Sequence, residues 1–238
     1  MKKTILLSSI LALGAVFAAG TDVTSGNAIG VLDVAVEAVP AQKLIAVPFG
    51  GYGTGGAVAV KDMVKTSNLA AGSRLYVADG KGTYNTWTLN AEGAWAADTK
   101  VNISSSAQPT AGSSDSQDDA TVNRGDAFWI QPIFKDGTSG ALYLLGEGET
   151  TSGQSTVEAG WNLVGNTATI ARHVSNEGYL KGEKICIQRN DAVGSLESYT
   201  FKDELGWVKT GARVASTITI QPGQGFWFLS KGTKSIAW

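Results

Sequence analysis

The sequence predicts an all-β protein of two tandem, diverged repeats, each a small antiparallel sandwich or barrel with at most one short helix. Three observations carry this. Thirty glycines and only two methionines in 238 residues, with abundant Thr, Val and Ser, favour strands and tight turns over long helices. Apolar residues alternate with a period of two, as at Leu75 and Val77, Phe128 and Ile130, Ile185 and Ile187, Phe226 and Phe228. Blocks of the first half recur in the second in the same order.

Residues 1–18 read as a bacterial signal peptide. Met1-Lys2-Lys3 forms a positive n-region, Thr4 to Phe17 an apolar stretch, and Val16-Phe17-Ala18 a cleavage box that would leave a mature chain starting near Ala19. The apolar stretch is too short to span a bilayer and has no stop-transfer flank, so no membrane span is expected after cleavage. The expected address is the cell surface, the periplasm or the medium. Cys186 is the only cysteine, so neither a lipid-bearing cysteine at the cleavage site nor an internal disulfide is available. Loss of Lys2 and Lys3 lowers the basic count from 19 to 17 against 21 acidic residues. A mildly acidic chain without a Lys/Arg cluster lacks the electrostatic footprint of a nucleic-acid or anionic-membrane binder.

The mature chain divides into repeat 1, residues 19–150, and repeat 2, residues 151–238. The opening strands Lys43 to Val47 and Asn162 to Asn166 correspond, each preceded by Val-Glu-Ala at Val36 to Ala38 and Val157 to Ala159. Gly72 to Val77 matches Gly182 to Ile187. Trp87 and Trp95 match Tyr199 and Trp207 at the same eight-residue spacing, and Thr121 to Ile130 matches Thr219 to Phe228. Repeat 1 carries two insertions of loop composition, Gly50 to Gly56 and Ser104 to Asp119. Asp79-Gly80 and Lys81-Gly82 signal turns, and Asp136-Gly137 and Lys231-Gly232 are expected to close the last hairpin of each repeat. A short helix is expected around Val60 to Val64, with a weaker counterpart around Ala171 to Val174.

Gly160-Trp161-Asn162-Leu163-Val164-Gly165-Asn166 and Pro222-Gly223-Gln224-Gly225-Phe226-Trp227 resemble the first and last strands of a β-rich repeat of large secreted and surface-displayed bacterial proteins. The resemblance covers repeat 2 almost whole. Repeat 1 departs from it, with Ala41-Gln42-Lys43 at its opening and Asn123-Arg124-Gly125-Asp126 at its close, and repeat 2 has Thr167 where the family has proline. It implies a surface or extracellular accessory module and transfers no catalytic residue.

Gly51-Tyr52-Gly53-Thr54-Gly55-Gly56 spells G-x-G-x-x-G, but the stretch after it is short and rich in Thr, Ser and Asn, and the matching turn after Leu163 has no such glycines. An inserted loop is the better reading, and no cofactor is expected. With His173 the only histidine and no serine in G-x-S-x-G, no nucleophilic triad or ordinary zinc site can be assembled, and Cys186 falls where repeat 1 has Tyr76, a packing position. Paired carboxylates could serve a glycosidase, but spacing along the chain does not reveal such a pair. Asp115-Ser116-Gln117-Asp118-Asp119 lacks the glycine punctuation of calcium loops.

All seven tryptophans follow residue 86, and exposed tryptophans on a secreted β-sandwich could stack on sugar rings. Trp87, Trp95 and Trp207 recur between the repeats and read as core. Trp129 and Trp227 are the candidate contact residues, because alternation puts them opposite the phenylalanine face. Their partner could be the other repeat, a neighbouring chain or a ligand. Contact between repeats is the simplest, since burying each ring is worth about 1.5–3 kcal/mol. The expected function is a structural, adhesive or glycan-binding accessory without catalysis, with an extracellular glycan or another surface protein as partner. The alternatives are a secreted polysaccharide hydrolase and a self-assembling surface-layer or filament subunit.

Overall fold

The computed structural model describes residues 28–36, 42–49, 57–79, 83–98, 101–103, 109–111, 121–137, 139–148, 154–168, 170–189 and 195–237. The signal peptide, the Gly51 to Gly56 stretch and Asp115 to Asp119 lie outside them. The first half contains β1 (Ala28–Val36), β2 (Lys43–Ala46), β3 (Val58–Ala59), α1 (Val60–Met63), β4 (Arg74–Ala78), β5 (Thr83–Leu89), β6 (Trp95–Ala97), β7 (Val101–Ile103), β8 (Pro109–Ala111), β9 (Thr121–Val122), β10 (Ala127–Gln131) and β11 (Gly140–Gly148). The second contains β12 (Gln154–Val157), β13 (Gly160–Gly165), β14 (Arg172–His173), β15 (Lys184–Gln188), β16 (Leu196–Lys202), β17 (Gly206–Lys209), β18 (Thr219–Ile220), β19 (Gly225–Ser230) and β20 (Lys234–Ala237).

All described ladders are antiparallel, and the pairing scheme of one half is repeated in the other. The first half pairs β1 with β11, β2 and β4 with β10, β4 with β5, β5 with β6, and β3 with β9. The second pairs β12 with β20, β13 and β15 with β19, β15 with β16, β16 with β17, and β14 with β18. To this scheme the first half adds α1 and the strands β7 and β8, the latter extending the sheet beyond β5. The described sheets are open, and none closes into a barrel.

Each half encloses its own core between a large sheet and a two-stranded ribbon. In the first, Leu75, Val77, Phe128 and Ile130 of the large sheet meet Leu142 and Leu144 of β11. In the second, Ile185, Phe226 and Phe228 meet Val157 and Ile236. The alternation in the sequence is therefore that of strands with one face on a core. Two expectations change. Asp136-Gly137 and Lys231-Gly232 do not close hairpins, because β10 and β11, like β19 and β20, lie in different sheets; each turn carries the chain from one layer to the other. Ala171 to Val174 is not helical either. Its central residues Arg172 and His173 pair with Ile220 and Thr219, whereas the first half forms one helical turn just after β3.

The recurring Gly-x-x-Phe-Trp segments are explained by the turn at their start. Gly125 (φ 96°) and Gly223 (φ 70°) adopt left-handed conformations that a Cβ disfavours. The Asp126 carboxylate accepts from the Asn123 N–H at 2.7 Å, and the Gln224 side-chain carbonyl accepts from the Gln221 N–H at 2.9 Å. Asp126 in one half and Gln224 in the other thus close the same turn. Burial raises the Asp126 pKa, and the Asn123 donors draw it partly back.

Candidate functional site

The two halves meet along a seam formed by β2 and β10 on one side and β13 and β19 on the other. Its backbone contacts come in exchanged pairs. Ile45 bridges Gln224, and the counterparts Val164 and Asp126 bridge each other. The Ala46 N–H donates to the Gly223 carbonyl at 2.9 Å, and the Gly165 N–H donates to the Gly125 carbonyl at 2.9 Å. A contact in which i meets j and the equivalent of j meets the equivalent of i is the mark of a two-fold interface. The approach is close enough to require small residues. A Cβ on Gly165 would overlap Ala46, and one on Gly225 would lie 2.8 Å from the Ala127 Cβ and 2.9 Å from the Leu44 Cγ.

Side chains break this symmetry. Gln188, whose counterpart is Ala78, accepts from the Leu44 N–H at 3.1 Å and donates to the Gln42 carbonyl. Ala78 is too short to do the same, so among the described residues this side-chain fastening by Gln188 has no counterpart at Ala78. The Ser155 hydroxyl adds a further bond to the Gly125 carbonyl at 2.9 Å.

Trp129 and Trp227 lie at this seam, 2% and 6% exposed, in one cluster with Leu44, Tyr76, Tyr84 and Ala127. Strand alternation turns both away from Phe128, Ile130, Phe226 and Phe228, which belong to the two separate cores. Tyr76 and Tyr84 meet edge to face at 6.4 Å. Burial drives the Tyr84 hydroxyl pKa far upward, and the Trp129 indole opposes part of the rise. Leu163 and Cys186 pack on the rim of the cluster, and the Cys186 Sγ lies 3.5 Å from the Ser198 Oγ.

The aromatic of this region that reaches solvent is Trp161, which the sequence presents only as part of a strand opening. It is 52% exposed and stands edge to face on Trp227 at 6.2 Å and 87°. Trp161 shares the Trp227 face of the sheet because it lies in β13 two residues before Leu163, which pairs with Trp227. No sequence pattern separates it from a buried tryptophan. Its exposure follows from its place near the end of β13, an edge strand of its sheet.

The remaining recurrent tryptophan pair is unequal. Trp207 is 1% exposed and donates from its indole N–H to the Ser175 carbonyl at 3.0 Å. Tyr179 covers it edge-on at 4.9 Å, and Phe201 lies at 5.3 Å. Trp95 is half-buried and lines a cleft of about 420 Å³ with Lys61, Asp62, Lys65 and Thr66.

Of the second half's carboxylates, Glu183 is fully buried. It accepts from the Leu180 N–H at 2.9 Å, the Lys231 N–H at 3.0 Å and the Lys234 ammonium at 2.7 Å. Burial alone would raise its pKa, but these donors outweigh burial and hold it below the usual carboxylate range. Glu197 is also held low, chiefly by Lys209 at 2.7 Å and by the Tyr199 hydroxyl at 2.9 Å. His173 is exposed beside the Thr219 hydroxyl at 2.9 Å. Among the described residues no three His, Cys, Asp or Glu side chains converge as a metal site would need, and no helix is long and apolar enough to cross a membrane. Comparison with protein-family models, curated proteins and solved structures finds no match for this chain.

Proposed function

We propose that this is an exported, non-catalytic β-repeat protein of accessory role that holds an extracellular glycan against the ring of Trp161. The observation that carries the reading is the exposure of that ring, 52%, on a strand that is hydrogen-bonded to β19 from Gly160 to Gly165. A sugar stacks its CH-rich face on an indole whose orientation is already fixed, so little conformational freedom is lost on binding. The edge-to-face contact with Trp227 supplies that fixation, with Trp227 itself buried in the seam beside Trp129. Trp227 then acts in binding by bracing the platform.

The test is a glycan array followed by pull-down on insoluble polysaccharide, with Trp161→Ala beside the parent protein. Loss of about five- to thirtyfold in binding with an unchanged melting curve is expected, the size of one stacking contact of about 1–2 kcal/mol. Equal binding by the variant, or release of reducing sugar from the polysaccharide, would overturn the reading.

A second reading, assembly with further copies, is favoured by β1. This strand of nine residues pairs with β11 alone among the described residues, carries only Asp33 as a charge, and exposes 64% of Val31. A long, apolar strand edge is a template for another strand. Sedimentation velocity separates the two: concentration-dependent growth abolished by Val31→Lys supports assembly, and a monomer at all concentrations removes it.

A further inference from the structure

The ring of Trp161 belongs to a row of side chains that crosses the second-half sheet one step outside the seam. Directly paired residues share a face, and the pairs Trp161–Leu229, Leu229–Lys184 and Lys184–Thr200 lead from β13 through β19 and β15 to β16. In the next row Trp227 and Cys186 pack into the seam cluster. In the outer row Trp161 and Lys184 are exposed, and Leu229 and Thr200 are half-buried. Two strand spacings put the backbones under the indole and the ammonium about 10 Å apart.

Two more lysines gather at the same end of the sheet. Lys231 comes two residues after Leu229, and its ammonium lies against Gly182, where a Cβ would come within 3.2 Å of it. Lys202 comes two residues after Thr200 and ends β16 on the same face. Lys184, Lys202 and Lys231 are all exposed, and none forms an ion pair among the described residues. Gly182, Thr200 and Lys202 line a cleft of about 480 Å³ at which the row ends. Its carboxylates are Asp203, which pairs with Lys181 at 3.7 Å, and Glu204. Four lysines against two carboxylates leave this end positive, on a chain whose formal net charge is -2. The lysines come from separate segments, so no basic run marks them in the sequence.

The first half does not repeat the arrangement. Gln42, Gln131 and Arg74 stand at the places of Trp161, Leu229 and Lys184, and Ile133 stands at that of Lys231. Thr88 matches Thr200, but its hydroxyl donates to the Asp98 carboxylate at 2.8 Å. The Asp98 N–H donates to the Thr86 carbonyl as the Thr210 N–H does to Ser198, so Thr210 replaces that acid in the second half. Indole, apolar floor and unpaired ammonium groups therefore coincide on one sheet only.

We infer that the Trp161 platform takes an acidic, carboxylate-bearing polysaccharide. One ring stacks on the indole, the chain runs across Leu229 toward β16, and the acid groups of the following residues meet Lys184, Lys231 and Lys202. The inference rests on the glycan-binding reading of Trp161 and adds the charge of the ligand and the direction in which it lies. An indole accepts the face of a neutral or an acidic sugar, so the lysines carry the selection. Exposed charge contacts are weak and screened by salt. Preference for the acid over its uncharged ester is expected to be roughly fivefold at about 0.02 M salt and to fall near parity at about 0.5 M.

The test is titration of the full mature chain with oligogalacturonate, oligomannuronate and hyaluronan fragments, each beside its methyl ester. The Trp161 indole N–H resonance is followed by ¹H–¹⁵N correlation and assigned from Trp161→Phe. Saturable movement with at least one acid, roughly fivefold weaker affinity for its ester, and loss of that preference in Lys184→Gln/Lys231→Gln and in high salt are expected. Trp161→Ala is expected to weaken acid and ester alike. Equal affinity for acid and ester, or a preference that survives the lysine substitutions, would overturn the inference and leave the platform standing. No response to any of the acids while neutral glycans still bind on the array would do the same. Acid binding that Trp161→Ala leaves unchanged would overturn the platform, and this inference with it.

Discussion

Trp207 and Trp95 stand at equivalent places on equivalent strands, yet one is sealed beneath Tyr179 and the other lines a cleft. The β5–β6 pairing at Trp95 matches the β16–β17 pairing at Trp207, but the first half adds α1, whose Lys61 and Asp62 line the cleft. The core side differs as well, with Tyr179, Phe201 and Phe228 exchanged for Leu69, Leu89 and Ile130. The comparison teaches that this scaffold tolerates either aromatic or aliphatic residues at these core positions, and that surface concavity is set by what covers the core there. The same holds for Ser73 and Glu183. The Ser73 hydroxyl accepts from the Ile133 N–H at 2.9 Å, and the Glu183 carboxylate accepts from the equivalent Lys231 N–H at 3.0 Å. One backbone need is met by a neutral group in one half and by a charged one in the other.

The comparison can be broken most forcefully at the seam, which both halves share. Trp129→Ala or Trp227→Ala removes a buried indole and is expected to cost about 3–5 kcal/mol in urea unfolding monitored by circular dichroism. Because each ring contributes to one shared cluster, the double variant is expected to fall short of the sum of the singles. Tyr179→Leu copies the first half into the second. A loss of about 2–3 kcal/mol is expected, together with faster acrylamide quenching of Trp207 as its cover is removed.

Glu183→Gln sharpens the contrast with Ser73 and is expected to cost on the order of 2 kcal/mol, the worth of hydrogen bonds to a charged group. Its pH signature is more specific. The folded pKa of Glu183 is depressed, so its contribution is complete above the unfolded value of about 4.3 and is lost as pH falls through the lower folded value. Melting of the parent protein is expected to weaken below about pH 4 more than melting of Glu183→Gln. Ser73 does not ionise, so Ser73→Ala is expected to shift stability equally at all pH values. The smallest effect is that of Trp161→Ala, expected to stay within about 1 kcal/mol because half of the ring is already in water.

Much of this was legible in the chain itself. Period-two alternation at Phe128 to Ile130 and Phe226 to Phe228 separates the core face from the seam face, since a strand has only two sides. The match between Gly72 and Gly182 signals turns that both take left-handed glycines, at φ 91° and 87°. What stayed hidden depends on the third dimension. Recurrence of Trp95 and Trp207 suggests equal burial, but the cover comes from positions 69 and 179, far enough along the chain that no local pattern links them. Asp136-Gly137 has the composition of a hairpin turn, and turn chemistry alone does not say whether the strands it joins lie in one sheet or two. Trp161 reads like any strand tryptophan, because edge position is a property of the assembled sheet.

The central claim is that the halves are one scaffold used twice and locked through a two-fold seam, so that damage on one side loosens the other. Amide hydrogen exchange on Trp227→Ala measures this directly. Loss of protection is expected in β19 and, across the seam, at Ala46 and at Ala127 to Trp129 in the unmutated half. Loss confined to residues 154–237, with the first half as protected as in the parent protein, would contradict it.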